Sequence, residues 1–250
     1  MLFDISGRVA LVTGGRRGLG LAMSEGLAAA GVKVAVAAAS AECEQLSRRI
    51  AERGGELAYF QADLGERSQR AGLVDKVVDR FGRLDILVNN AGIQHRQPAV
   101  DFALDKWDQI LGLMLTGAFE LSQQAARVMA KQGGGKIINI ASVCGFQGGW
   151  TIPAYAAAKH AVVGLTRALA NEWASKNIHV NAIAPGYFDT EMCEALVHDP
   201  VREPKIRERI PAGRWGKPED LVGPLLFLAS DASNYVDGHV LVVDGGWMGR

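Results

Sequence analysis

Seven short apolar runs, most of them rich in β-branched residues, recur along the chain, each followed by a turn or a longer stretch with helical spacing. They cover Val9 to Val12, Val32 to Ala37, Leu57 to Phe60, Ile86 to Val88, Ile137 to Ile140, His179 to Ile183 and Val240 to Val243, and are predicted as strands. Between them the spacing predicts helices over Gly18 to Ala30, Ala41 to Arg53, Ser68 to Phe81, Trp107 to Ala130, Tyr155 to Ala174 and Pro218 to Ala229. Pro218 suits a first helical turn, where its missing N–H is not needed. Strands this continuously apolar are buried on both faces, as in a parallel sheet covered by helices on each side. The expected fold is α/β, a doubly wound parallel sheet of about seven strands with helices on both faces. No linker or repeat divides the chain, so one domain over 1–250 is expected. Ligands of such sheets bind beyond the carboxyl ends of the strands, and chemistry is sought there.

Composition narrows the partners. The 250 residues hold 27 basic and 27 acidic side chains, for zero net charge, and 48% are hydrophobic. Disorder and coiled coil are excluded, and the electrostatic footprint of a general nucleic-acid binder is missing. A small-molecule partner is expected. No apolar run approaches the roughly 18 residues that span a bilayer, and Met1 to Ala10 lacks the parts of a signal peptide, so the expected location is the cytoplasm, with no membrane partner. Cys43, Cys144 and Cys193 are too few and too scattered for a disulfide framework. His95, His160, His179, His198 and His239 show no metal-ligand spacing, and no metal is expected.

Directly after the first run comes TGGRRGLG, Thr13 to Gly20, leading into a helical pattern. Gly14, Gly18 and Gly20 allow a tight turn, close approach to a pyrophosphate and close packing of helix on strand; Arg16, Arg17 and Leu19 complete the loop. Dinucleotide binding is expected. An NAD site usually ends its second strand on a carboxylate for the ribose 2'-hydroxyl, whereas this chain reads Ala37, Ala38, Ala39, Ser40. With nothing there to repel a 2'-phosphate, Arg16 and Arg17 are candidates to pair with it, which favours NADP(H) and leaves NAD(H) open. After the third run Asp63 either accepts from an adenine amino group or closes an Asx turn. After the fourth, Asn89 to Gly92 form a small polar turn suited to a nearby ribose or to structure alone.

Tyr155 and Lys159 lie four apart at the start of a predicted helix and so share a face. An ammonium about 4 Å from a phenol at an effective dielectric near 20 favours the phenolate by roughly 4 kcal/mol, close to three pKa units. That expectation brings the tyrosine into range as an acid or base. Ser142, just past the fifth run, is placed to hold a substrate oxygen.

These motifs, TGxxxGxG, NNAG, a serine, YxxxK and the Pro185/Gly186 turn, occur in the order and total length of the short-chain dehydrogenase/reductase family, which the whole chain resembles. The resemblance implies a Rossmann-type sheet and hydride transfer between a nicotinamide and a carbinol or carbonyl carbon. It implies that Tyr155 is the general acid of reduction and base of oxidation, that Lys159 lowers its pKa and binds the nicotinamide ribose, and that Ser142 orients the reacting oxygen. Asp63 and Leu64 would then face adenine, Asn90, Ala91 and Gly92 would line the cofactor, and Pro185, Gly186, Phe188 and Thr190 would lie beside the carboxamide, with loop packing an alternative for Phe188. It further implies a cofactor part over about residues 1–135, a catalytic and substrate part over 136–250, a mobile lid over 191–209, and a homo-tetramer. One position departs: members usually carry an asparagine that holds a water near the lysine, and here Met114 stands in its place. A thioether is only a weak acceptor.

The carboxyl half, in GGKIINIAS, FQGG, ANEWASKNIHVNAIAPGY, IPAGRWGKPEDL and VDGGW, resembles the sugar-acid branch of the family, the 2-dehydro-3-deoxy-D-gluconate 5-dehydrogenases and gluconate 5-dehydrogenases. A substrate with a carboxylate and several hydroxyls needs a cation and hydrogen-bonding groups, for which His95, Arg96, Gln147 and Trp150 are the candidates. Arg214 reads as a structural ion-pair residue. Two other readings remain at this point: a reductase of 3-oxoacyl thioesters, and a nucleotide-binding protein of low turnover, prompted by Met114.

Overall fold

The computed structural model describes residues 2–41 and 44–250. In chain order the elements are β1 (Val9–Thr13), α1 (Gly18–Ala29), β2 (Lys33–Ala38), α2 (Glu44–Glu52), β3 (Leu57–Gln61), α3 (Arg67–Arg70), α4 (Leu73–Phe81), β4 (Ile86–Asn89), α5 (Leu104–Leu111), α6 (Gly117–Gln132), β5 (Gly135–Ile140), α7 (Pro153–Trp173), β6 (Ile178–Pro185), α8 (Glu194–Val197), α9 (Arg202–Arg209), α10 (Val222–Ala229) and β7 (Val240–Val243). The strands form one seven-stranded sheet in the order β3-β2-β1-β4-β5-β6-β7, and every neighbouring pair is parallel. Glu42 and Cys43, inside the helix expected from Ala41 to Arg53, lie outside the described residues.

Alternation along the strands divides the core between the two faces. Ala10 and Val12 of β1 pack with Met23 and Leu27 of α1 and Leu225 and Leu228 of α10. Val9 and Leu11 turn the other way, toward Val74 and Val77 of α4, Leu121 and Ala125 of α6 and Leu169 of α7. Because β1 is buried at every position, its sequence is a continuous apolar run rather than an alternating one. The order of strands reverses between β1 and β4, and the crevice where ligands of doubly wound sheets bind opens there.

Three expected helices are broken or reshaped. The one over Ser68 to Phe81 becomes α3 and α4, separated at Gly72 by a left-handed residue (φ 68°). The one over Trp107 to Ala130 becomes α5 and α6 joined by a π-helical turn over Gly112–Thr116, closed by the Gly117 N–H on Gly112 O. Pro218 opens a 3-10 turn, Pro218–Leu221, ahead of α10. In the expected lid, Pro204 is the third residue of α9, where a backbone N–H would have no intrahelical partner anyway.

Candidate active site

The glycine loop joins β1 to the N-terminus of α1, and no side chain caps that terminus. Its free N–H groups therefore face the crevice and suit an anion. A Cβ on Gly20 would lie 2.2 Å from Gly14 O and 2.6 Å from Asn90 Nδ2, so the loop can close only on glycine. The NNAG turn is clamped onto this loop: Asn90 Nδ2 donates to Thr13 O (2.8 Å) and Gly14 O (3.2 Å), and Thr13 Oγ1 accepts from the N–H groups of Asn90 (2.8 Å) and Ala91 (2.9 Å). Asn90, expected along the cofactor, uses its amide to hold the loop's shape. Gly20→Ala should therefore weaken NADPH binding by about 5- to 150-fold, the effect of 1–3 kcal/mol of overpacking. A fluorescence titration checks this, and unchanged affinity would mean the loop does not bind the nucleotide.

The two loop arginines differ. Arg17 Nη1 pairs with Glu191 Oε2 at 2.9 Å, an exposed contact between the glycine loop and the segment after β6. Arg16 is half-buried and has no ion pair among the described residues, so it is the freer cation for a phosphate. At the end of β2 no carboxylate appears at Ala38, Ala39 or Ser40; the carbonyls of Ala39 and Ser40 accept from Gln61 and Tyr59 of β3. Asp63 forms the Asx turn, Oδ1 accepting from Gly65 N at 2.9 Å, and its exposed side chain retains a second oxygen. Leu64 is buried beneath it.

Tyr155 and Lys159 share one face of α7, as the spacing requires, with Lys159 Nζ 5.5 Å from the centre of the tyrosine ring. Nζ donates to Ile140 O at the end of β5. Ser142, which follows β5, is buried, accepts from Cys144 N at 3.1 Å, and its hydroxyl is hydrogen-bonded to Tyr155. The expected lowering of the tyrosine pKa is not what this chain alone produces. Burial pushes Tyr155 well above the usual phenol value, and only the Ser142 hydrogen bond and the more distant Arg96 charge act against it. Lys159 is itself pushed down to about 8 by burial. The physical reason is that the two groups share one desolvated wall, so burial penalises phenolate and ammonium alike.

Pro185, the last residue of β6, pairs with Val243 of β7, and a Cβ on Gly186 just after it would lie 2.7 Å from Asp244 Cβ. Phe188 belongs to the core, 4% exposed, with its ring over Gly216; loop packing accounts for it. Thr190 reaches the glycine loop near Gly18. Among the substrate candidates, His95 Nε2 contacts Gln97 Oε1 at 3.1 Å and its ring stacks edge-on to Phe102. The Gln97 N–H on Thr151 O ties that loop to the segment after Ser142. Gln147 Oε1 accepts from Trp247 Nε1 at 2.9 Å, leaving its amide nitrogen for another partner. Trp150 is exposed, with Arg202 of α9 over its ring at 5.8 Å. Arg214 forms a two-bond pair with Asp220, the structural role read from its turn. Two residues were overlooked as neighbours of the site: Cys144 and Cys193, whose charged forms act on Tyr155, approach it from the segments after β5 and β6. Cys144, two positions after Ser142, was visible in the sequence; Cys193 was not, because only the lid's fold brings it there. No cluster of metal-ligating residues occurs among the described residues, and no helix among them is long and apolar enough to cross a membrane.

A switch-point crevice floored by an uncapped helix and walled by a buried serine, a buried lysine and a half-buried tyrosine defines a dinucleotide-dependent oxidoreductase. A family profile described as enoyl-(acyl carrier protein) reductase matches residues 14–248. The 2-dehydro-3-deoxy-D-gluconate 5-dehydrogenases of Dickeya dadantii and Escherichia coli are 49% and 47% identical to this chain, each covering 99% of it and 98% of their own length. A gluconate 5-dehydrogenase from Burkholderia cenocepacia, solved in complex with NADP and tartrate, is 41% identical with a TM-score of 0.93, covering 100% of this chain and 98% of its own. The chain belongs to the short-chain dehydrogenase/reductase family, and it is an NAD(P)-dependent oxidoreductase acting on CH–OH groups.

Proposed function

We propose that this chain interconverts a ketone and a secondary alcohol on a sugar acid such as 2-dehydro-3-deoxy-D-gluconate or gluconate, with NADP(H) favoured over NAD(H). The observation that carries the reading is the meeting of Ser142, Tyr155 and Lys159 beside the glycine loop, in a chain nearly half identical over its full length to dehydrogenases of such acids. The uncapped α1 terminus, Gly20 and Arg16 fit a dinucleotide carrying a 2'-phosphate, with Leu19, Leu64, Ala91, Gly92, Pro185, Gly186 and Thr190 along it. Bound NADP(H) supplies the two-electron donor or acceptor. Ser142 holds the substrate oxygen, Tyr155 gives or takes the proton at that oxygen, and Lys159 balances the charge beside it. Arg96 is an exposed cation whose field reaches Tyr155, and it is our choice for the substrate carboxylate. Gln147, His95 and Trp150 serve the hydroxyls.

In this reading residues 1–135 hold the cofactor and 136–250 the substrate, within one domain, with 191–209 as the lid. The chain works in the cytoplasm as a homo-tetramer. The test mixes purified protein with NADPH or NADH and a panel of ketones, following nicotinamide absorbance. Turnover of five- and six-carbon keto acids, faster with NADPH than NADH at limiting cofactor, is expected. Turnover confined to 3-oxoacyl thioesters would replace the substrate class, and nucleotide binding without any turnover would leave a low-turnover binding protein. Arg16→Ala should shrink the preference for NADPH. Arg17→Ala should do so less, because Arg17 already has Glu191.

A further inference from the structure

Arg70 is a buried charge on a very short helix. It is the last residue of α3 and 3% exposed, and the left-handed Gly72 two positions later keeps α3 from running on into α4. Its guanidinium joins two segments that are distant in sequence. Nε donates to Glu120 Oε2 of α6 at 2.8 Å, and Nη1 donates to the carbonyls of Leu64 (2.6 Å) and Gly65 (2.9 Å). Gln124, one turn after Glu120, donates from Nε2 to Arg70 O at 3.1 Å, so α6 holds both the side chain and the backbone of this residue. Gly117 opens α6, and a Cβ there would stand 3.4 Å from both Leu64 O and Arg70 Cδ. The exposed Arg67 pairs with the other carboxylate oxygen, Glu120 Oε1, at 3.0 Å.

A buried ion pair seldom stabilises a fold more than apolar side chains of the same size would. What this one supplies is donors. Neither Leu64 O nor Gly65 O has another donor among the described residues, and Leu64 is buried, where a carbonyl without a donor is costly. The rigid fork of an arginine serves a carboxylate and two carbonyls at once, whereas a lysine offers its donors from a single point.

The turn held in this way borders the dinucleotide crevice. Leu64 shares the wall of a small cavity with Thr13 of the glycine loop and Ala91 of the NNAG turn. The turn's other bonds are internal as well: Asp63 N–H donates to Gln69 Oε1 at 2.8 Å and Gly65 N–H to Asp63 Oδ1 at 2.9 Å. With both carbonyls taken by Arg70, the Leu64 N–H and Asp63 Oδ2 are left without a partner among the described residues. A donor and an acceptor on neighbouring residues match the edge of an aminopurine, which carries a ring-nitrogen acceptor beside an amino donor.

We propose that Arg70, held by Glu120, is the positioning residue for the adenosine end of the nucleotide: it draws the Leu64 and Gly65 carbonyls toward α6 and so leaves the Leu64 N–H and the Asp63 carboxylate for the base. The inference rests on the reading of this turn as an adenosine contact, and it places part of the support for cofactor affinity on α3 and α6, outside the glycine loop.

Fluorescence titrations of the full chain with NADPH, with adenosine 2',5'-bisphosphate as competitor, test the two separately. In the wild type the competitor, which carries the adenosine end alone, should displace NADPH; no displacement would remove the adenosine reading and the proposal with it. Arg70→Met, similar in length and without donors, should weaken NADPH and the competitor by the same factor, about tenfold. At saturating NADPH its kcat and its KM for the ketone should stay within about twofold of wild type. Arg70→Lys keeps a cation for Glu120 but loses the fork, and should weaken both ligands at least about threefold. An arginine that serves the fold alone would, on replacement, lower the melting temperature and leave both affinities within about twofold, and that result would overturn the proposal. A loss that spares the competitor, or one that falls equally on kcat, would overturn it too. Should Arg70→Met fail to fold, the affinities of Arg70→Lys decide.

Discussion

Tyr155→Phe should reduce turnover by about 10²–10⁴-fold, the contribution typical of a positioned general acid or base, while NADPH affinity changes by less than about threefold. The phenol ring is kept, so packing along α7 and the contact of Lys159 over the ring survive; only the hydroxyl that meets Ser142 is lost. The direction of the pKa shift adds a sharper expectation. Burial raises Tyr155 above the ordinary phenol value, so without ligands the group is fully protonated at neutral pH and ready to donate. Ketone reduction should therefore run over a broad neutral range. Alcohol oxidation needs the phenolate and should accelerate with pH as long as Lys159 keeps its charge. Steady-state rates in both directions across pH 6 to 9 check the asymmetry, and residual turnover of Tyr155→Phe near the wild-type rate would remove this residue from the reaction.

Much of this was legible along the chain because the signals were local. A strand buried on both faces shows as an apolar run, and all seven appear where the runs predict them, within two residues at either end. YxxxK is read the same way, since α-helical geometry fixes which residues share a face. Contacts between distant segments left no trace. Arg17 meets Glu191 across 174 positions and Asn90 closes on Thr13 across 77, and neither pairing alters local composition. The π-helical turn at Gly112–Thr116 was hidden because one extra residue per turn barely disturbs a 3.6-residue pattern. The sign of the Tyr155 shift was misjudged for a related reason. Spacing gives the distance to the lysine, but the desolvation that outweighs it depends on what folds over the pair.

Lys159→Met should abolish most turnover, by about 10²-fold or more, and at neutral pH it should leave the fold nearly as stable as before. Lys159 is 5% exposed, and its folded pKa of about 8 lies below the ordinary 10.5. Between those values the unfolded chain binds more protons than the folded one, so wild-type stability rises with pH across the window, by up to about 1.4 kcal/mol per unit. Below pH 8 both states are protonated and the full penalty of the buried ammonium is present, roughly 3 kcal/mol. Methionine removes that penalty but leaves Ile140 O without its donor, at a cost of about 1–3 kcal/mol, so near pH 7 the two terms come close to cancelling. Toward pH 10 the wild type loses its penalty and the variant keeps its unpaired carbonyl. Lys136, buried and likewise pushed down to about 8, is common to both chains and drops out of the comparison. Urea unfolding of the two proteins at pH 7 and pH 10 should show the wild type gaining on Lys159→Met by about 2–3 kcal/mol. Parallel stability curves would mean that the lysine pKa is not depressed in the folded chain, the ammonium being well solvated there. A gain of about 4 kcal/mol would mean that the lysine is already neutral at pH 7, and the charge that balances the Tyr155 phenolate would then have to come from elsewhere.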